Sequence, residues 1–73
     1  MNGYGIFNFS NGDKYDGEWE NNKMNGYGKF YHSDGNICEG EWKNNKLEGY
    51  AIVYDNDKKY EALFQNSKIK KYL

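Results

Sequence analysis

Tyr15-Asp16-Gly17-Glu18-Trp19-Glu20-Asn21-Asn22-Lys23-Met24-Asn25-Gly26-Tyr27-Gly28 is the stretch that decides the fold. It returns, lightly edited, as Cys38-Glu39-Gly40-Glu41-Trp42-Lys43-Asn44-Asn45-Lys46-Leu47-Glu48-Gly49-Tyr50-Ala51. The offset is 23 residues throughout, from Gly17 to Gly40, Trp19 to Trp42 and Gly26 to Gly49. A fixed period of that length marks a repeat architecture.

The same offset extends outward. Asn2-Gly3-Tyr4-Gly5 matches Asn25 to Gly28, and Asn11-Gly12 matches Asp34-Gly35. The chain thus divides into a partial unit over 1–14, full units over 15–37 and 38–59, and a degenerate unit over 60–73. In the last of these, Ala62 stands for glycine and Phe64 for tryptophan. The chain is expected either to be a piece of a longer repeat protein or to complete itself by oligomerising, since so few repeats are marginal alone.

Within each unit the residues alternate at period two, the mark of a half-buried strand. Tyr15, Gly17 and Trp19 share one face, and Asp16, Glu18 and Glu20 share the other. The fold class is therefore all-β: a single-layer twisted antiparallel meander of repeated β-hairpins. About six strands are predicted, over 4–9, 14–20, 27–32, 37–43, 50–55 and 59–64, with the tail a stub strand or short cap. The predicted register sets Trp19 opposite Gly28, Gly17 opposite Phe30 and Glu18 opposite Lys29, because a large ring over a glycine and an acid beside a base are favourable cross-strand pairs. The second unit then places Trp42 over Ala51 and Gly40 opposite Val53. Asp34-Gly35-Asn36 and Asp57-Lys58 are the predicted tight turns, the latter leaving Val53 opposite Ala62, and residues 21–25 form a longer loop.

Composition narrows the function. At 73 residues with a net charge of −1 and no arginine, the chain lacks the cationic excess of a nucleic-acid binder, and no nucleic-acid partner is expected. The one cysteine, Cys38, has no intramolecular disulfide partner and no zinc-type spacing, which favours a reducing compartment such as the cytoplasm. No apolar run has the length of a membrane span, and the polar N-terminus does not read as a signal peptide. Catalysis has little foothold. His32 is the only histidine and has no nucleophile at motif spacing, and Cys38 occupies an inward tyrosine position as a packing substitution. Asp16, Glu18, Glu39 and Glu41 fit no metal-loop spacing. The expectation is no enzyme, no cofactor and no metal.

The pattern Tyr-x-Gly-x-Trp-x-x-Asn-Lys-x-x-Gly-Tyr-Gly, with Asp-Gly before the next unit, resembles the MORN repeat (membrane occupation and recognition nexus). Tyr15, Gly17, Trp19, Gly26, Gly28 and Gly35 carry the match. Cys38, Ala51, Lys58 and Ala62 depart from it. The resemblance implies an elongated sheet with a groove along one face. It also implies a role as a scaffold that self-associates, holds a partner peptide, or positions proteins at a membrane or cytoskeleton.

Three surfaces follow as candidates. The aromatic face of Tyr15, Trp19, Phe30, Trp42, Tyr60 and Phe64 is a core strip and a groove for a protein or peptide partner. Tyr50, Ile52, Tyr54 and Leu63 form a self-association patch on the opposite face, where the first unit carries Tyr27, Lys29, Tyr31 and Glu18; the bland alternative is that the tail folds over it. Lys23, Lys46 and Lys68 recur once per unit as a rim for an anionic membrane surface, with Glu20 and Glu48 in the same loops. The expected function is a non-catalytic interaction module and homo-oligomer. Its alternatives are a phospholipid-recognition module and an accessory segment of a larger signalling enzyme.

Overall fold

The computed structural model describes residues 2–73. Seven strands follow one another: β1 (Gly3–Asn8), β2 (Lys14–Glu20), β3 (Lys23–Tyr31), β4 (Ile37–Lys43), β5 (Lys46–Asp55), β6 (Lys58–Gln65) and β7 (Lys68–Tyr72). They pair in sequence order as one antiparallel sheet with no crossover. No helix occurs among the described residues. The all-β meander is as expected, and the tail adds a seventh strand beside β6. It continues the sheet and does not fold over the outer face.

The strands alternate with two kinds of turn. On one side, Asn21-Asn22 and Asn44-Asn45 all have positive φ, between 49° and 71°. Such a pair makes the two-residue hairpin turn whose twist matches that of the strands, and asparagine tolerates this conformation best after glycine. Lys23 therefore pairs at once with Glu20, and Lys46 with Lys43. The predicted loop over 21–25 is corrected: it is a tight turn followed by strand.

On the other side, a three-residue turn is closed by Phe9 with Asp13 and by His32 with Asn36 (N···O 2.9 and 2.8 Å). Gly12 and Gly35 take φ of +97° and +100° there. The second such turn thus spans 33–35, one residue earlier than predicted. The last turn on that side is shorter: Asp55 pairs with Lys58 around Asn56-Asp57, again one residue earlier, and Val53 faces Tyr60, not Ala62.

The register also differs from expectation, for a physical reason. Gly17 pairs with Gly28, Asp16 with Lys29 and Tyr15 with Phe30, whereas Trp19 pairs with Met24. Between these pairs β2 advances two residues and β3 advances four, so the strand bulges at 25–27. Gly26, at φ +105°, makes the bend. The second unit repeats this, with Trp42 opposite Leu47, Gly40 opposite Ala51 and Cys38 opposite Val53. Because the shift is even, the predicted faces survive although the predicted partners do not.

A single sheet has no second layer, so its core is made by rings lying along one face. Tyr15 is fully buried in one cluster with Trp19, Met24, Trp42, Leu47 and Ala51, and Val53 and Ala62 are buried elsewhere on the sheet. Tyr15 meets both Trp19 and Trp42 edge-on, at 5.1 and 5.7 Å between centroids. Its phenol lies over Gly17 and Gly28, where an added Cβ would overlap the ring. Neighbouring hairpin turns are clasped in the same periodic manner. Asn45 N–H donates to the Met24 carbonyl (3.0 Å) while Met24 N–H donates to Asn45 Oδ1 (2.8 Å), and Ser67 and Leu47 repeat the exchange (3.1 and 3.0 Å).

Candidate functional site

The inner face is not fully closed over its rings. An open groove of about 610 Å³ runs across it from β1 to β6. Phe7, Trp19, Met24 and Phe30 line its first half, and Trp42, Leu47 and Phe64 its second. Asn22, Asn45 and Ser67 stand along the tight-turn rim; Asn11, Asp13 and His32 mark the other end. The rim polar groups are largely committed internally: Asp13 accepts from Ser33 N–H at 2.8 Å and from Asn11 at 3.1 Å. What the groove presents is apolar and mostly aromatic.

Of the six predicted groove aromatics, Trp19, Phe30, Trp42 and Phe64 line it. Tyr15 lies beneath, wholly buried, and Tyr60 turns aside to pack on Tyr72 at 5.6 Å. Sequence reading passed over Phe7, Phe9, Met24 and Leu47. Phe7 and Phe9 alternate with polar residues in the opening half-unit. Met24 and Leu47 stand in matching positions directly after the Asn-Asn turns, a signal hidden by taking those segments as loops.

Cys38 and His32 meet at the loop end of the groove, with Sγ 3.9 Å from Nε2. Burial pushes the Cys38 thiol above its ordinary pKa, with the Asp34 carboxylate adding in the same direction, so the thiolate, the reactive form, is disfavoured. No group of three or more His, Cys, Asp and Glu side chains is poised to hold a metal ion among the described residues.

The opposite face has a different chemistry. Tyr4 donates to Asp16, Tyr27 to Glu39 and Tyr50 to Glu61, each phenol reaching diagonally to the next strand. The Glu39 hydrogen bond, with burial and nearby carboxylates, pushes the Tyr27 pKa up to about 12. Lys14 sits over the Tyr31 ring at 4.4 Å. Of the predicted self-association patch, Tyr50 is 47 % exposed, while Ile52, Tyr54 and Leu63 are half-buried. Tyr54 is drawn into the network by a 3.4 Å bond to Glu39.

Lys23, Lys46 and Lys68 are exposed at the tight-turn rim. Each adjoins a groove-face residue, Met24, Leu47 or Ile69, and so points to the face away from the groove. Glu20 and Glu48, on the strands beside these turns, accept hydrogen bonds from Asn25 and the Asn66 N–H. The lysine rim and the aromatic groove are therefore separate surfaces.

No curated protein matches the chain. The family model for the MORN repeat matches three times, over residues 1–14, 15–37 and 38–58. Repeats of this kind are non-catalytic modules generally associated with interaction and membranes. With the model covering most of the chain, and with both full units forming the same bulged hairpin under a tryptophan, the protein belongs to the MORN-repeat family.

Proposed function

We propose that the chain is a non-catalytic protein–protein interaction module whose aromatic groove holds a segment of a partner protein. One observation carries this reading: the face that forms the core leaves an apolar groove of about 610 Å³ open to solvent, with Phe7 at its N-terminal end 44 % exposed. Apolar surface of that kind is stabilised by being covered. Peptide display against the immobilised protein tests it. Bound sequences should be rich in apolar residues, and Phe7→Ser with Phe64→Ser should abolish their binding while leaving the fold intact. Equal binding by that double variant would sink the reading.

The outer-face patch supports a second contact, with another copy of the chain, because Tyr50 remains 47 % exposed beside the half-buried Ile52, Tyr54 and Leu63. Sedimentation equilibrium over a wide concentration range should show a rising average mass; a constant monomer mass removes this contact. Phospholipid recognition through Lys23, Lys46 and Lys68 is the alternative, supported by their exposure in one row. Salt-sensitive co-sedimentation with anionic vesicles, lost on Lys→Gln change at all three, would put it in place of the peptide reading.

A further inference from the structure

We infer that the groove takes its partner segment in the polyproline II conformation, as a proline-rich stretch with a basic residue at one end; this rests on the groove reading above. The second residue of each tight turn carries the argument. Asn22, Asn45 and Ser67 hold that place in three successive hairpins, with φ of 65°, 71° and 64°. All three are exposed and line the groove.

The clasps between turns decide what this row offers. Met24 N–H donates to Asn45 Oδ1, and Leu47 N–H donates to Ser67 Oγ, so both oxygens are taken as acceptors. The amide nitrogen of Asn45 and the hydroxyl hydrogen of Ser67 then remain as donors, with no partner among the described residues. Asn22 holds the same turn position one unit earlier. The rim thus has hydrogen bonds to give and little to accept with.

Equivalent turns stand two strands apart, about 9.6 Å. A polyproline II segment advances about 9.3 Å per three-residue turn, and its unbonded carbonyls recur along one side at that period. One turn of the segment therefore meets one unit of the sheet. An α-helix spends its carbonyls internally, and an extended strand repeats at about 6.8 Å, so neither matches the row. Proline suits the site for a second reason. It has no N–H, so laying it against the rings leaves no buried donor unsatisfied. The groove supplies rings unit by unit: Phe7 with Trp19, Phe30 with Trp42, and then Phe64. Aromatic-lined grooves of this kind are a recurring receptor for the conformation.

Charge distinguishes the ends of the segment. Asp13 is the one carboxylate among the described residues that line the groove, and it follows β1, at the N-terminal end. A cation on the segment is attracted there and an anion repelled.

Calorimetric titration with acetylated, amidated decaproline tests the inference, against an alanine-rich helical peptide and a glycine–serine peptide of equal length. Decaproline should bind about tenfold more tightly than either, because it arrives preorganised and without backbone donors. Asn45→Asp keeps an oxygen for the Met24 N–H and exchanges the donor for an acceptor. It should weaken decaproline about tenfold while the chain stays folded. Lysine added at one of the two ends should tighten binding and glutamate there should weaken it; indifference to charge at both ends overturns the basic end. Equal affinity for the three peptides, or for decaproline in wild type and Asn45→Asp, overturns the inference. Should that variant not fold, the peptide series on the wild-type chain decides. A display-selected peptide without proline that binds where decaproline does not overturns this inference and leaves the groove reading standing, so the two failures are distinguishable.

Discussion

The indole Nε1 of Trp42 donates to the carbonyl oxygen of Gly28 at 3.1 Å, diagonally across β4 and β3. Trp19 makes the same bond to Gly5 at 3.0 Å, one unit earlier. The tryptophan therefore does two things that another large ring cannot do together: it buries a broad surface and ties its strand to the preceding one. Trp42→Phe keeps most of the surface and deletes the bond, so it should lower stability by about 1–2 kcal/mol. Trp42→Ala removes both and should cost about 3–5 kcal/mol, enough to unfold a small domain. Urea unfolding followed by circular dichroism separates the two. If Trp42→Phe were as stable as wild type, the indole bond would be a bystander.

Tyr15 and Gly28 are matched to each other, as Cys38 and Ala51 are in the next unit. A Cβ at Gly28 would run into the Tyr15 phenol, and one at Gly17 would lie 2.6 Å from its hydroxyl. Gly28→Ala alone should cost about 1–3 kcal/mol through overpacking. Tyr15→Cys alone leaves a void beneath the two tryptophans and should cost about 3–5 kcal/mol. The double variant reproduces the second unit's pair, with the methyl entering space the ring has vacated. Its loss should fall short of the sum by about 0.5–3 kcal/mol, the usual coupling of residues in contact. Strict additivity, measured by chemical denaturation of all four proteins, would show that the pairs are not interchangeable.

These pairs also show what the sequence makes legible. Period two and the 23-residue offset are direct consequences of strand geometry and repetition, so the meander and its two faces follow from Tyr15, Gly17 and Trp19 alone. Register was harder. It depends on where the ladder slips, and the slip at Gly26 arises from a backbone bend that leaves alternation intact on both sides. Asn21-Asn22 misled for a similar reason: asparagine reads as loop, yet two in left-handed conformation make the tightest hairpin. The groove was half visible. Trp19 and Trp42 announce themselves, whereas Met24 and Leu47 line it only because that turn is tight.

Glu18 gives the two bulges unequal tolerance. Its carboxylate accepts the Tyr27 N–H at 2.6 Å and lies against Gly26, where an added Cβ would meet it. At Gly49, the equivalent position, an added Cβ meets nothing within 4 Å. Both glycines have positive φ, +105° and +80°, so alanine is strained at either. Gly49→Ala should therefore cost about 1 kcal/mol from backbone strain alone. Gly26→Ala should cost more, because it also displaces a charged hydrogen bond worth about 1.5–3 kcal/mol. Glu18→Ala combined with Gly26→Ala should bring the further cost of the glycine change down to that at Gly49. Thermal melts of these variants check the order, and Gly49→Ala proving the more damaging would contradict it.

Alkaline pH should unfold the protein through its tyrosines. Burial pushes Tyr15 up to about 12, and the Glu39 hydrogen bond does the same for Tyr27. In the unfolded chain a tyrosine ionises near 10. A folded-state pKa above the unfolded value means that the fold prefers the neutral phenol. Its stabilising contribution is complete below pH 10 and is lost progressively as pH rises toward 12. Stability should thus fall across that window, and phenolate absorbance should rise late and steeply as unfolding releases Tyr15. Tyr15→Phe removes the buried ionisation but keeps the ring, so its stability should be flatter between pH 10 and 12 than that of wild type. Tyr27→Phe should flatten the curve less, because an exposed phenol–carboxylate bond is screened by water. A Tyr15→Phe variant that lost stability over that window as steeply as wild type would show that the buried phenol is not what alkali attacks.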